Sequence, residues 1–400
     1  MADVVKNIGV PIDDETLSEI SRGMIFSELA ITDNKEGTLA KVGKANPWHI
    51  QALKLITGSE ERAHLPLEDI LRDDFGGLIL DCELDTSGIT KGLNFVDTQG
   101  YIAHNDELIV VSFRCTTSLF DWLTNLNSTT SAWEVEDYEL GYSGICSGFS
   151  GLCFQGPNAK PRVHTGMYNN FLAILPEVKK HVDKYLKKDE KPRELYIVGH
   201  SLGAGIANLM ATYFLLEGYD WNVLPQKLIS VTAGSPRSNG KSMKKVTDEK
   251  RLEFGKNVRF HRLVKGKDAV SKVPPRILGF EHIVDPIVIT DDGKILMLKK
   301  EDGLKTDLSE AYKVTRQKDA QFSVDKLVKD GEDTKKTTEK EGTLQRETST
   351  EKNDEEEYAK YQRLVTKIPK GLRDHMPDFY LKPIFNAQGI EHASKTKPTK

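Results

Sequence analysis

Tyr196-Ile197-Val198-Gly199-His200-Ser201-Leu202-Gly203-Ala204-Gly205-Ile206-Ala207-Asn208-Leu209 is the stretch on which the architecture turns. An apolar run ends at Gly199, a serine stands between two glycines, and a helical pattern follows without a break. A nucleophile held on a sharp strand-to-helix turn needs small residues two positions before and after it, because larger side chains would collide with the crossing backbone. The same turn lifts Oγ to the edge of a sheet and sets the positive end of the helix behind it. The spacing therefore predicts Ser201 as a nucleophile and Leu202, whose N–H heads the helix, as one donor of an oxyanion hole.

The flanks extend this pattern. Gly100–Asp106 and Glu107–Phe113 read as two apolar strands separated by a turn, followed by a helix near 168–187. The strand ELYIVG, the helix from Ser201 to Glu217, and the strand-like runs KLISVTAG and NVRFHRLV come next. Strands alternating with helices predict an α/β fold with a mostly parallel sheet covered on both faces. Upstream, residues 12–75 read as helical, with Asp13 placed to cap one helix and Asn46-Pro47 and Leu65-Pro66 to start two more. We read residues 1–75 as a helical N-terminal extension packing over the sheet and 76–390 as the main domain. Within the latter, 318–357 is crowded with Lys, Glu, Thr and Asp and poor in large apolar groups. Such a segment buries too little to offset its ordering entropy, so a disordered charged insertion is expected there. Residues 391–400 form a basic tail.

A serine is a weak nucleophile until a base takes its proton and a carboxylate orients that base. In chain order Ser–Asp–His, Asp268 lies just beyond the strand-like run RFHRLVKG, where functional loops are placed. The histidines beyond it are His282, His375 and His392, the last in the tail. Residue pattern alone leaves His282 and His375 level.

Composition narrows the function classes. Lys+Arg total 56 against Asp+Glu 60 in 400 residues, a net charge of −4. That lacks the basic excess of a nucleic-acid binder. The first residues have neither a basic nor an apolar leader segment, and no apolar run approaches a membrane span, so a soluble cytoplasmic protein with at most peripheral lipid contact is expected. Cys82, Cys115, Cys146 and Cys153 are then expected as free thiols, the alternative being that Cys146 and Cys153, which share a glycine-rich stretch, pair in an oxidising compartment. With no CxxC and no HExxH there is no support for a metal site, and the chemistry needs no cofactor. Nothing in the sequence speaks to oligomeric state.

The segments SFRCTTSLFDW, VHTGMY, GHSLGAG, TAGSPRSN, KDAVSKVPP, GFEHI and RDHMPDFYL follow one another from residue 112 to 381. Together they resemble the class 3 lipases, α/β-hydrolases that include the fungal triacylglycerol lipases. The resemblance implies hydrolysis of acyl-lipid esters, with Asp268 as the acid and His375 as the base. It gives His282 and His164 structural roles. It also places a second oxyanion donor at Thr116, although Cys115 stands where the family has glycine. The next residues carry Leu119, Trp122, Leu123 and Leu126 on one helical stripe. The resemblance makes this stripe a mobile lid that opens at a lipid surface, and the alternative is a short buried helix. Two other functions fit the same sequence: an esterase or acyltransferase of this fold acting on a non-lipid ester, and a lipase-like scaffold without catalysis.

Overall fold

The computed structural model of the chain describes residues 9–32, 47–86, 98–115, 129–134, 160–186, 192–221, 226–298 and 368–390. Thr116, the stripe Leu119–Leu126, Cys146, Cys153, the segment 318–357 and the tail 391–400 lie outside the described residues. Strands of the main sheet are β1 (Gly9–Pro11), β2 (Ile79–Asp85), β3 (Gln99–His104), β4 (Leu108–Phe113), β7 (Glu194–His200), β8 (Lys227–Ala233), β10 (Val258–Lys265), β12 (Pro286–Ile289) and β13 (Ile295–Leu298). The short strands β5 (Thr130–Ala132), β6 (Arg162–His164), β9 (Asn239–Gly240) and β11 (Phe280–Glu281) form a separate antiparallel sheet in the order β11-β9-β6-β5. Helices are α1 (Asp14–Leu29), α2 (Pro47–Thr57), α3 (Glu60–Ala63), α4 (Leu67–Asp74), α5 (Thr165–Leu186), α6 (Leu202–Leu216), α7 (Lys241–Phe254), α8 (Lys370–Arg373) and α9 (Pro377–Gln388).

Side-chain alternation along β7 explains the layering. Leu195 and Ile197 point into a core shared with α5, α6 and α7, while Tyr196 and Val198 point into a second core shared with α1, α2, α4 and α9. All four are at most 1% exposed, and burial on this scale contributes roughly 1.5–3 kcal/mol per large apolar side chain. The main sheet runs β1-β13-β12-β10-β8-β7-β4-β3-β2. Its five central strands, β4, β7, β8, β10 and β12, are mutually parallel. Antiparallel pairs close both sides, β3 with β4 and β2 with β3 on one and β12 with β13 and β13 with β1 on the other. Buried parallel strands under helices on both faces make this an α/β-hydrolase fold.

The N-terminal segment is fastened to that sheet. Asp13 caps α1 by accepting the Thr16 N–H at 2.7 Å. Buried Glu19 on α1 meets Arg259 Nε at 2.8 Å and His261 Nε2 at 2.6 Å, both on β10. At the far end of α1, the Phe26 carbonyl accepts from Tyr101 Oη and Ser112 Oγ, each at 2.9 Å, so an orphan helix-end acceptor is satisfied from the strands. The same helix carries Glu28, 2% exposed, toward the C-terminal ends of the parallel strands.

Candidate active site

Ser201 has φ 57° and ψ −125°, and among the described residues no other non-glycine residue has positive φ. Such a conformation costs on the order of 1–3 kcal/mol and persists only where neighbours hold it. Here they do. The Ser201 N–H donates to the Ala233 carbonyl at 3.0 Å, pinning the turn to the end of β8. A Cβ on Gly199 would lie 2.4 Å from the Gly203 carbonyl, and one on Gly203 would lie 2.3 Å from the Phe113 carbonyl. Leu202 opens α6, where its N–H has no acceptor within the helix.

His375 and Asp268 meet at the same strand ends. The loop after β10 carries Asp268, which is fully buried, and the turn between α8 and α9 carries His375, 2% exposed. His375 Nδ1 lies 2.9 Å from Asp268 Oδ2. A carboxylate accepts, so Nδ1 holds the ring proton and Nε2 keeps its lone pair. Asp268 Oδ1 accepts the Val270 N–H at 2.8 Å, fixing the carboxylate plane. Gly234, the residue after Ala233, touches both: a Cβ there would fall 2.6 Å from His375 Nδ1 and 2.7 Å from Asp268 Oδ2. One dipeptide thus grips the Ser201 turn through Ala233 and seats the His375–Asp268 pair against Gly234. Ser201 Oγ and His375 Nε2 are both buried, and neither has a hydrogen-bond partner among the described residues.

The other sequence candidates sit elsewhere. His282 Nε2 donates to the Ser271 carbonyl at 2.8 Å, tying its loop to the 3₁₀ turn Val270–Lys272, and burial with Arg262 and Arg237 nearby holds it neutral. His164 Nδ1 accepts the Met167 N–H at 3.3 Å in the first turn of α5, and burial lowers its pKa to about 4. Cys115 is buried with its thiol pushed up by desolvation and lies 3.8 Å from His49 Nε2, so it is held as a neutral thiol. Thr116, the next residue, and the Leu119–Leu126 stripe lie outside the described residues.

Three residues that sequence reasoning did not single out complete the surroundings. Tyr380 on α9 donates its hydroxyl to Asp268 Oδ2 at 2.6 Å and accepts the Lys265 N–H at 3.0 Å. Burial and the adjacent carboxylate keep that phenol protonated. His200 stacks on His375 with ring centroids 4.8 Å apart and donates Nε2–H to the His375 carbonyl at 2.9 Å. Its other nitrogen, Nδ1, faces Glu28 Oε1 at 3.3 Å. The quoted motif already contained His200, and Tyr380 stood five residues after His375. Glu28 carried no sequence signal.

Among the described residues, one group has the donors of a cation site: Cys82 on β2 with Glu177 and His181 on α5, their ligand atoms within 4.8 Å of one another. Both ring nitrogens of His181 are engaged, Nδ1 by Asp81 and Nε2 by Glu177 Oε1 at 2.8 Å. Lys180 balances Glu177 at 3.0 Å. The group reads as an ion-paired network on an edge strand.

The family model described as "Lipase (class 3)" matches residues 110–278. Over that stretch, which is under half of the chain, the sequence is similar to the class 3 lipases. The matched stretch holds Ser201, Leu202 and Asp268, and His375 lies beyond it. Over 178 residues the chain is 27% identical to phospholipase A(1) DAD1, chloroplastic, of Arabidopsis thaliana, covering 42% of this chain and 34% of that protein. Over 215 residues it is 25% identical to secreted mono- and diacylglycerol lipase A of Penicillium cyclopium, covering 52% and 59%. The chain thus spans about a third to three fifths of the length of these relatives. A solved structure of Rhizomucor miehei triacylglyceride lipase aligns with 76% of this chain and 92% of its own, at 17% identity and TM-score 0.48.

Proposed function

We propose that this chain is a serine hydrolase that cleaves carboxylic esters of acyl lipids through an acyl-enzyme. The observation that carries the reading is that two buried atoms without a partner among the described residues, Ser201 Oγ and His375 Nε2, lie at one set of strand ends, with Asp268 behind the imidazole. His375 takes the Ser201 proton as Oγ attacks the ester carbonyl, and Asp268 stabilises the imidazolium that forms. The Leu202 N–H, together with Thr116, receives the oxyanion. The alcohol leaves with the proton from His375, and water activated by the same imidazole releases the fatty acid. No metal or cofactor enters these steps.

Fluorophosphonate labelling tests the nucleophile: the chain takes up one label, and Ser201→Ala takes up none. Labelling that survives Ser201→Ala would overturn the reading. For substrate we propose acyl-glycerol and phospholipid esters, the classes for which the relatives are named, tested by a headgroup and chain-length profile. Leu119, Trp122, Leu123 and Leu126 are proposed as the lid over this site, making contact with the lipid surface peripheral. No described helix is long and apolar enough to cross a membrane. For location the proposal is the cytoplasm, and fractionation of cells making the tagged chain checks it, with recovery in an organelle or the medium as the contrary result. Residues 76–390 are proposed as the hydrolase unit, with 1–75 as the extension fastened beneath it and 318–357 as a dispensable insertion.

A further inference from the structure

We propose that Glu28, on the N-terminal helix α1, is a neutral carboxylic acid that donates a hydrogen bond to His200 Nδ1 and through His200 positions the catalytic loop of His375. This rests on the assignment of His375 as the base.

The argument follows the protons. The His375 carbonyl can only accept, so the 2.9 Å contact from His200 Nε2 places the ring proton of His200 on Nε2. Nδ1 of the neutral ring is then a bare lone pair. It is fully buried and has no hydrogen-bond partner among the described residues, and the same is true of Glu28 Oε1, 3.3 Å away. Two acceptors facing each other in a dry interior repel. The contact is favourable only if a proton stands between them, and with His200 neutral that proton belongs to Glu28.

The surroundings favour this state. Burial and the nearby Asp378 on α9 raise the Glu28 carboxyl to about 8, and burial with His375 and His49 close by holds His200 well below its ordinary range. The groups around Glu28 are His200 at the end of β7, Cys115 after β4, Asp378 on α9 and, next to His200, His49 on α2. Cys115 is a neutral thiol, His49 is held neutral with its pKa lowered to about 3, and Asp378 raises the Glu28 carboxyl; the positive charges in this region act on those neighbours, Arg114 on Cys115 and His49 and Lys382 on Asp378 at 3.8 Å. His200 in turn holds the catalytic loop at two points, the His375 carbonyl by its Nε2–H and the His375 ring by stacking, and meets Tyr380 edge-on at 5.7 Å. Ionising Glu28 would set a carboxylate against the Nδ1 lone pair and loosen that grip. Glu28 acts through His200, so its role is positioning.

Three proteins test this on a soluble short-chain ester: the native chain, Glu28→Gln and Glu28→Ala. The native kcat is expected to fall as pH rises through about 8, with KM nearly constant. Glu28→Gln keeps a donor and cannot ionise, so its kcat should stay level across that range. Glu28→Ala should lose about ten- to hundredfold in kcat at neutral pH, the scale of a small misplacement of a reacting group. An alkaline fall that persists unchanged in Glu28→Gln would overturn the proposal, and Glu28→Gln decides the matter if Glu28→Ala fails to fold. Nitrogen-15 histidine spectra of the Ser201→Ala protein read the contact without any activity. His200 is expected in the Nε2–H form with a hydrogen-bonded Nδ1, a signature Glu28→Ala removes. A free Nδ1 in the parent spectrum would refute the contact even if Ser201 labels, whereas a hydrogen-bonded Nδ1 in a chain that fluorophosphonates never label would place the failure in the assignment of catalysis.

Discussion

Glu28→Gln also makes a thermodynamic prediction that can be worked from the structure. An ordinary glutamate has a carboxyl at 4.5, whereas in the folded chain this one stands at about 8. The sign follows from proton counts. Below 4.5 the acid is protonated in both states and the native chain and the variant feel pH alike. Between 4.5 and about 8 the unfolded chain releases the proton while the folded chain retains it, so rising pH favours unfolding. At about 1.4 kcal/mol per pH unit, the interval from 4.5 to neutrality costs the native chain about 3 kcal/mol. Above about 8 both states are ionised and the deficit levels off near 5 kcal/mol. Glutamine carries no such linkage and retains a donor for His200. Stability measured by urea unfolding should therefore be similar for the two proteins at about pH 4.5, with the variant ahead by about 3 kcal/mol at neutrality. Other titrating groups are common to both proteins and cancel in the difference. A difference that stays flat between about pH 5 and about pH 8 would refute the reasoning, because it would mean that Glu28 is ionised in the fold.

Other perturbations read other parts of the site. Tyr380→Phe removes the donor to Asp268 and strands the Lys265 N–H, so stability should drop by about 1–3 kcal/mol, with kcat reduced more than KM is raised. Gly203→Ala drives a Cβ to 2.3 Å from the Phe113 carbonyl and 2.7 Å from that of Arg114, so it should displace the chain leading to Thr116 and lower kcat by about a hundredfold in soluble protein. His375→Ala should lower kcat by at least about ten-thousandfold with the fold intact, whereas His282→Ala, which loses its tie to Ser271, should mainly lower the melting midpoint. Trp122→Ser should depress hydrolysis of emulsified long-chain esters much more than that of a soluble short-chain ester, and equal losses would favour a buried helix.

The sequence carried the centre of the fold because that centre is local. An apolar strand, a glycine-flanked serine and a helix are contiguous, and each glycine answers to a backbone only a few ångströms away in the folded chain. Asp268 was legible as a loop residue after a strand, but nothing nearby chose between His282 and His375. That choice depends on which imidazole meets a carboxylate across the fold, and His375 lies 107 residues from Asp268. Glu28 was illegible for the same reason in stronger form. A glutamate near the end of an amphipathic helix ordinarily faces water, and only the packing of α1 on β7 and β8 turns this one inward. The strand β1 gave no periodic signal either, because three residues are too few to show one.

The threading of one core from both ends of the chain has a consequence for biosynthesis. Ser21 on α1 donates to Gln388 on α9 at 2.7 Å, across 367 residues of sequence. Helix α1 leaves the ribosome well before its floor, since β7 begins about 165 and β8 about 200 residues after α1 ends, and its neighbour α9 follows later still. Contacts of such range slow folding and leave apolar surface waiting for its partner. The α1 face is thus an early, unpaired hydrophobic surface of the kind that chaperones hold. On the proposed assignment the hydrolytic centre is assembled late, since the turn with His375 emerges long after the serine elbow. Ribosome-bound chains stopped before residue 370 should therefore show no uptake of a serine-directed probe.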